Sequence, residues 1–224
     1  VQGSVLSLYD NGRLKEPMKG GEVTDQAAFD ADVRSKLDAA KRVVVLSHSV
    51  SSPSYKKMMS EWTSANPNVG FIQYDSIDHS GKLDAWEQMT GVRAMPSVDM
   101  ASARVIVAVG SDFLSSLNGQ SVSKGYADRR EPGKDMSRHY QFESNMSLAG
   151  ANADHRVRVK ASEQAQVLLA LYNEIAAKTG GSPLNKAKLG TAAKSMIGQA
   201  ALDLLGARGA SLVINGVNDA SAEM

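Results

Sequence analysis

The sequence predicts an α/β protein in which mainly parallel sheets are flanked by helices. Short β-branched runs, such as residues 43–46 and 104–109, alternate with longer stretches of helical periodicity. Some of the runs end in small polar turns, of which the Gly-Ser-Asp turn beginning at Gly110 is the clearest. Strands that alternate with helices in this way form βαβ units, and the strands of such units lie parallel.

The first predicted helix runs from about residue 25 to residue 40, with Thr24 as its N-cap. Its apolar residues recur at four-residue spacing, as a buried helical face requires: Phe29, Val33 and Leu37. The run at 43–46 contains no polar residue, which indicates a strand that is buried on both faces.

The second helix has a clear start, because Ser52 suits the N-cap and Pro53 suits the first helical position. Four large residues follow at i, i+3, i+4 and i+7, which predicts one buried stripe: Tyr55, Met58, Met59 and Trp62. The next strand is predicted at 69–74.

The rest of the chain continues this alternation. The segment 178–186 is the best linker, and there is no internal repeat. Helices are predicted at about 81–90, 162–178 and 186–207, and strands at 104–109, 138–142, 156–159 and 211–214.

The composition excludes several function classes. The chain has 25 Lys+Arg and 24 Asp+Glu, so its net charge of +1 favours neither a nucleic acid nor an acidic membrane as partner. It has no cysteine, which excludes disulfides, thiolate metal sites and cysteine-bound iron–sulfur clusters within these residues. No apolar run approaches the ~20 residues of a membrane helix, so no direct membrane insertion is expected. The chain reads as a piece of a longer polypeptide.

The common catalytic and phosphate-binding motifs are missing. There is no P-loop, dinucleotide fingerprint, nucleophile elbow or zinc-protease motif. Ligands of parallel sheets bind beyond the carboxyl ends of the strands. The turn Gly110-Ser111-Asp112 lies at such an end, and its backbone N–H groups suit an anion. A basic cluster of Arg129, Arg130, Lys134 and Arg138 is interpreted as a solvated face, with phosphate or partner binding as the alternative.

In order along the chain, these pieces resemble the molybdopterin oxidoreductase family over about residues 26–218. In that family a strand ending in Gly-Ser/Thr-Asn-Pro meets the pterin nucleotide, and a later strand ends in Asp-Pro-Arg. An Ala-Asp pair, a short strand and Gly-Thr-Asp at a helix start then follow. The matching residues here are Gly110, Ser111, Asp112 and Phe113; Glu143, Ser144 and Asn145; Ala153 and Asp154; and Ser162, Glu163 and Gln164.

The sequence resembles even more closely the molybdopterin-like part of the iron–sulfur subunit of bacterial alternative complex III, a membrane quinol oxidoreductase. The segments that carry this closer resemblance are 4–10, 91–96, 136–139, 143–146 and 150–154. The resemblance implies a Rossmann-like fold with two sub-lobes. Residues 1–75 would form the first lobe and 76–209 the second, and a strand in 210–224 would return to the first lobe.

The departures from the family pattern indicate a degenerate site. Ser162 replaces a glycine that lets the backbone approach the nucleotide, and Gln164 replaces an acid that can bind a guanine edge. Asn145 replaces an arginine that would face phosphate. Asp112 and Glu143 place negative charge beside a pyrophosphate, and repulsion at ~4 Å costs about 1 kcal/mol in water and several times more when partly buried. We therefore expect no catalytic residue and no bound cofactor in this chain.

The resemblance also implies a cellular context. The expected role is a non-catalytic structural domain of a respiratory electron-transfer complex on the periplasmic side of the bacterial inner membrane. Its partners would be other subunits and the cluster-binding part of the same polypeptide, where the iron–sulfur clusters are expected. Two alternatives stay open: an active molybdopterin-dependent enzyme fragment, with Asp78 as metal ligand and Glu143 on the nucleotide, and a small nucleotide- or ligand-binding module.

Overall fold

The computed structural model describes residues 2–115, 119–133 and 135–224. The chain divides into two compact units, Val1–Ile77 and Asp78–Met224, which we call the first and second unit. Each contains parallel strands flanked by helices, which confirms the predicted α/β fold class.

The first unit contains two helices and two small sheets. A short hairpin that the sequence did not predict turns through Gly20 and Gly21, both with positive φ. The 3-10 helix Gln2–Tyr9 precedes the strands β1 Met18–Lys19 and β2 Glu22–Val23, and these are followed by α1 Gln26–Ala39, β3 Val43–Ser47, α2 Pro53–Ala65 and β4 Val69–Gln73. Strands β3 and β4 pair in parallel.

Four details of the first unit differ from the sequence-based expectation. The apolar face of α1 is not buried, because Phe29, Val33 and Leu37 are each 38–39% exposed. The N-cap of α1 is Asp25, not Thr24, and its carboxylate accepts the N–H of Ala28 at 3.1 Å. Strand β3 is not buried on both faces, because Val44 is 45% exposed and Leu46 is 69% exposed. Met58 is also exposed, because Met59 and not Met58 points from α2 into the unit. The predicted cap of α2 by Ser52 and Pro53 is confirmed.

The second unit is built on a four-stranded, fully parallel sheet. Its strand order is β7-β6-β5-β8. The elements are α3 Ser80–Thr90, β5 Val105–Val109, α4 Gly119–Asp128, β6 Arg138–Glu143, α5 Leu148–Ala151, β7 His155–Arg158, α6 Gln164–Thr179, α7 Thr191–Gly206, β8 Ser211–Asn215 and α8 Ala220–Glu223. Helix α7 starts later than predicted, so Leu189 packs from the preceding loop.

Both faces of this sheet are covered. Alternate residues of β5 point to opposite faces, so Val107 packs with α6 and α7 while Ile106 packs with Phe113 and Tyr126. All five residues of β5 are buried. A continuous apolar strand of this kind is expected at the centre of a parallel sheet that is covered on both sides.

The placement of the last strand corrects the expected lobe arrangement. Residues 210–224 were expected to return to the first lobe, but β8 pairs with β5 along its whole length inside the second unit. Gly216 allows this close approach, because a Cβ at that position would lie 2.1 Å from the carbonyl oxygen of Gly110. The division between the units falls after Ile77 rather than after residue 75.

Candidate functional site

The parallel register of the second unit brings the first two predicted loops together at one edge of the sheet. Val109 lies opposite Phe142, and the N–H of Gly110 donates to the carbonyl of Phe142 at 2.8 Å. Gly110–Asp112 and Glu143 therefore meet where the carboxyl ends of β5 and β6 lie side by side. This is the edge at which ligands of open parallel sheets bind.

Glu143 is buried in this edge and its carboxylate is fully engaged. Its Oε1 accepts from Arg156 Nε at 2.5 Å and from the N–H of Ser147 at 3.2 Å. Its Oε2 accepts from Ser147 Oγ at 2.5 Å and from Gln141 Nε2 at 3.1 Å. Burial opposes ionisation, but the hydrogen bonds from Arg156, Ser147 and Gln141 outweigh it, so the pKa of Glu143 lies below its ordinary value.

Asp112 is engaged in the same way by the chain's own backbone. Its Oδ1 accepts the N–H of Ala149 at 2.9 Å, and its Oδ2 is hydrogen-bonded by the hydroxyl of Ser115. Burial raises its pKa, while the bonds from Ser115, Ala149 and Leu148 lower it, and the net pKa is below the ordinary value. The N–H groups that open α5 thus point at two internal carboxylates, Asp112 and Glu143.

The glycine turn after β5 is filled by a neighbouring side chain. Gly110 has a φ of 63°, and a Cβ placed on it would lie 2.5 Å from Oε1 of Gln164. The carboxamide of Gln164 therefore lies directly on the Gly110 backbone. Gln141 Nε2 donates to the carbonyl of Ser111 at 3.0 Å on the same edge. The space that a glycine here leaves for a ligand is occupied by Gln164.

The structure does not bring Asp154 to this edge. Asp154 precedes β7, and its Oδ2 accepts the N–H of His139 at 2.7 Å, at the opposite end of β6. Arg130 donates to both of its oxygens, at 2.7 Å and 2.8 Å. Burial raises the pKa of Asp154, but the Arg130 bonds outweigh it and the net pKa is lowered. The basic cluster is thus partly internal, while Lys134 lies outside the described residues.

The remaining predicted positions contribute little to the site. Asn145 and Ser162 are exposed. Glu163 closes the turn before α6, where its Oε2 accepts the N–H of Lys160 at 3.1 Å. None of these three side chains joins the network around Glu143.

Asp78, the candidate metal ligand, lies just before α3, and one of its carboxylate oxygens is occupied by hydrogen bonds within the chain. Its Oδ1 accepts from the N–H of Ser80 at 2.8 Å, from Ser80 Oγ at 2.6 Å and from Asn218 Nδ2 at 2.7 Å. The Ser80 bonds are the main reason why the pKa of Asp78 falls to about 2. In the described part of the chain, no group of three histidine and acidic residues is placed to hold a metal ion.

A row of buried polar side chains on β6 was missed by the sequence analysis. His139, Gln141 and Glu143 alternate on one face of the strand. His139 Nε2 donates to Gln141 Oε1 at 3.0 Å, and its Nδ1 lies 3.1 Å from the hydroxyl of Tyr126. The available signal was three polar residues at a spacing of two that alternate with the aromatic residues Tyr140 and Phe142.

Comparison with known proteins adds no assignment. A scan against protein-family models found no match for this chain. A search of curated proteins found no relative of it either. Among the described helices, none is long and apolar enough to cross a membrane.

Proposed function

We propose that this chain is a non-catalytic structural domain with a molybdopterin-oxidoreductase-like scaffold whose cofactor site has been lost. The observation that supports this most strongly is that the edge of the sheet where a nucleotide would bind is occupied by the chain's own groups. Asp112 and Glu143 accept the N–H groups at the start of α5, and Gln164 covers Gly110.

The internal carboxylates would oppose an anionic ligand in two ways. They already accept hydrogen bonds from the N–H groups that a phosphate would need. A phosphate that took over these donors would leave two carboxylates without them. They also repel a phosphate, by about 1 kcal/mol for each close charge in water and by more in a partly buried site. Arg156 offers no compensation, because it donates to Glu143.

The residues present therefore do not fit a pterin nucleotide. A pyrophosphate needs free N–H donors or free cations, and on this edge the Arg156 guanidinium and the Ala149 N–H already donate to the chain's own carboxylates. Asp78 belongs to no group of three or more histidine and acidic residues that could hold a metal ion in the part of the chain that is described. For these reasons we derive no catalytic step through a cofactor.

The wider context of the proposal comes from the resemblance alone. A scaffold of this type would belong to the iron–sulfur subunit of a membrane quinol-oxidising complex on the periplasmic side of the bacterial inner membrane. The clusters would be bound by cysteines elsewhere in that polypeptide, since this chain has none. Its own contribution would be packing against the other parts of the complex.

The deciding experiment uses the intact, natively purified subunit. Molybdenum and tungsten are measured by mass spectrometry, and oxidised pterin is measured by fluorescence in the same sample. We expect neither metal nor pterin, together with iron and acid-labile sulfide. Stoichiometric metal and pterin would overturn the proposal and would make Asp78 the first residue to substitute.

A further inference from the structure

Strand β8 lies at one edge of the second unit's sheet, and half of its backbone faces outward. The N–H of Gly216 donates to Val109, and the carbonyl of Ala210 accepts from Arg104, so the even-numbered residues face β5. The N–H and C=O of one strand residue point to the same side, and successive residues alternate. Ser211, Val213 and Asn215 therefore direct their backbone groups away from the sheet.

One end of this outer edge is partly covered and the middle is open. Lys82 Nζ donates to the outward carbonyl of Asn215 at 2.8 Å. Within the described residues, neither the outward N–H nor the outward C=O of Val213 has a hydrogen-bond partner, and the same holds for the backbone of Ser211. The Val213 side chain is 44% exposed.

The opposite edge of the same sheet is protected, and β8 is not. Strand β7 exposes Arg156 and Arg158, and charged side chains on an edge strand discourage pairing with another chain. Strand β8 reads Ser-Leu-Val-Ile-Asn, with no charge and no proline. An uncharged, β-branched edge with open backbone groups is a template for strand addition.

We propose that the outer edge of β8 pairs with β8 of a second copy of this chain, in antiparallel orientation across a two-fold axis at Val213. With the two-fold axis at Val213, this residue lies opposite its counterpart in the second copy. The free N–H of one copy then faces the free C=O of the other. The two copies then exchange both Val213 N–H···O=C bonds as a hydrogen-bonded pair.

The neighbouring positions of the pair are also compatible. Leu212 lies opposite Ile214 of the second copy, which sets two apolar side chains side by side. Ser211 lies opposite Asn215, whose carbonyl has a second lone pair beside the Lys82 bond. The pairing joins two four-stranded sheets into one continuous sheet. It does not depend on the proposed loss of the cofactor site.

Cysteine cross-linking tests the register, because the chain has no cysteine of its own. In a hydrogen-bonded antiparallel pair the two Val213 Cα atoms lie about 5.5 Å apart, within the ~4.4–6.8 Å range of disulfides. Under a mild oxidant, Val213→Cys is expected to form a disulfide dimer of twice the 23.8 kDa chain mass. Ser211→Cys is the matched control, because its two copies would lie roughly 14 Å apart along the strands.

Sedimentation equilibrium provides the non-covalent test. The unmodified chain is expected to dimerise with rising concentration, and Val213→Lys is expected to abolish the dimer. Val213→Thr, which keeps an uncharged β-former, and Leu202→Lys, an exposed position on α7, are expected to retain it. A monomer at every concentration overturns the proposal, as does equal cross-linking of the two cysteine variants. A dimer that persists in folded Val213→Lys overturns it as well.

Discussion

The two units build parallel strands from similar sequences but bury them to very different degrees. In the first unit, β3 has the sequence Val-Val-Val-Leu-Ser, and its Val44 and Leu46 side chains are exposed on one face. In the second unit, β5 has the sequence Val-Ile-Val-Ala-Val and is buried along its whole length. The β5 strand has a neighbour on each side and packed layers on both faces, whereas among the described strands β3 pairs with β4 alone.

The difference extends to the whole core of each unit. Met59 is the one buried residue of the first unit among those described. The second unit has a core on each face of its sheet, centred on Tyr140 and Phe142 on one side and on Ile106 and Phe113 on the other. Because burial of apolar area supplies most of the folding free energy, the second unit should carry most of the stability.

The largest expected effect comes from expressing the two units separately. Residues 78–224 are expected to unfold cooperatively in urea, because their core is complete. Residues 1–77 are expected to show no cooperative transition, since a chain below about 80 residues needs a well-packed core or staples and this unit has neither. Circular dichroism during urea titration measures both. A cooperative transition of the isolated residues 1–77 would contradict the expected difference in stability between the two units.

Matched substitutions in the two sheets should differ by several kcal/mol. Phe142→Ala removes a fully buried ring from β6 and is expected to lower the free energy of unfolding by about 3–5 kcal/mol. Leu46→Ala, at a 69% exposed position of β3, is expected to change it by about 0.5 kcal/mol or less. Urea midpoints of the full chain measure both, and equal losses would show that β3 is packed as tightly as β6.

His139 should make the second unit sensitive to acid. Burial lowers its pKa to about 4 from an ordinary value near 6.5, because an imidazolium loses favourable hydration when it is buried. Between these two values the unfolded chain binds the proton and the folded chain does not. Stability is therefore lost as pH falls from about 6.5 to about 4, by about 3 kcal/mol in total.

Histidine variants test this pH dependence. In His139→Asn, the slope of unfolding free energy against pH should flatten across that range. His48→Asn, at an exposed position of the first unit, is the control and should keep the slope. The slope is the readout, so a general loss of stability in His139→Asn does not confuse the result. An unchanged slope in that variant would contradict the assignment.

The smallest expected effect tests how tightly the candidate site is filled. A Cβ on Gly150 would lie 1.9 Å from Oε1 of Glu143, so Gly150→Ala must displace that carboxylate. We expect a loss of about 1–3 kcal/mol in unfolding free energy. Gly198→Ala, in helix α7 with open space around its Cβ position, should gain up to about 1 kcal/mol. A neutral Gly150→Ala would mean that the edge has room for a ligand.

The candidate site was only partly accessible to sequence reasoning. The turn at Gly110–Asp112 and the position of Glu143 follow from strand ends, and parallel pairing places them together. The bonds from Ser147 and Ala149 to these carboxylates do not follow, because they depend on how the chain returns after β6. Asp154 was grouped with the same site, yet it lies before β7 rather than after it and pairs with Arg130.

The sequence by itself determined the α/β class, most of the helices and strands, and the cap of α2 at Ser52 and Pro53. These depend on short-range periodicity and on local hydrogen bonds, which nearby residues specify. Only the tertiary structure decided that β3 keeps one face open, that β8 joins β5, and that Gln164 fills the turn at Gly110. Those outcomes depend on contacts between residues far apart in sequence. A run of valines has the same local sequence pattern whether or not a second layer packs against it.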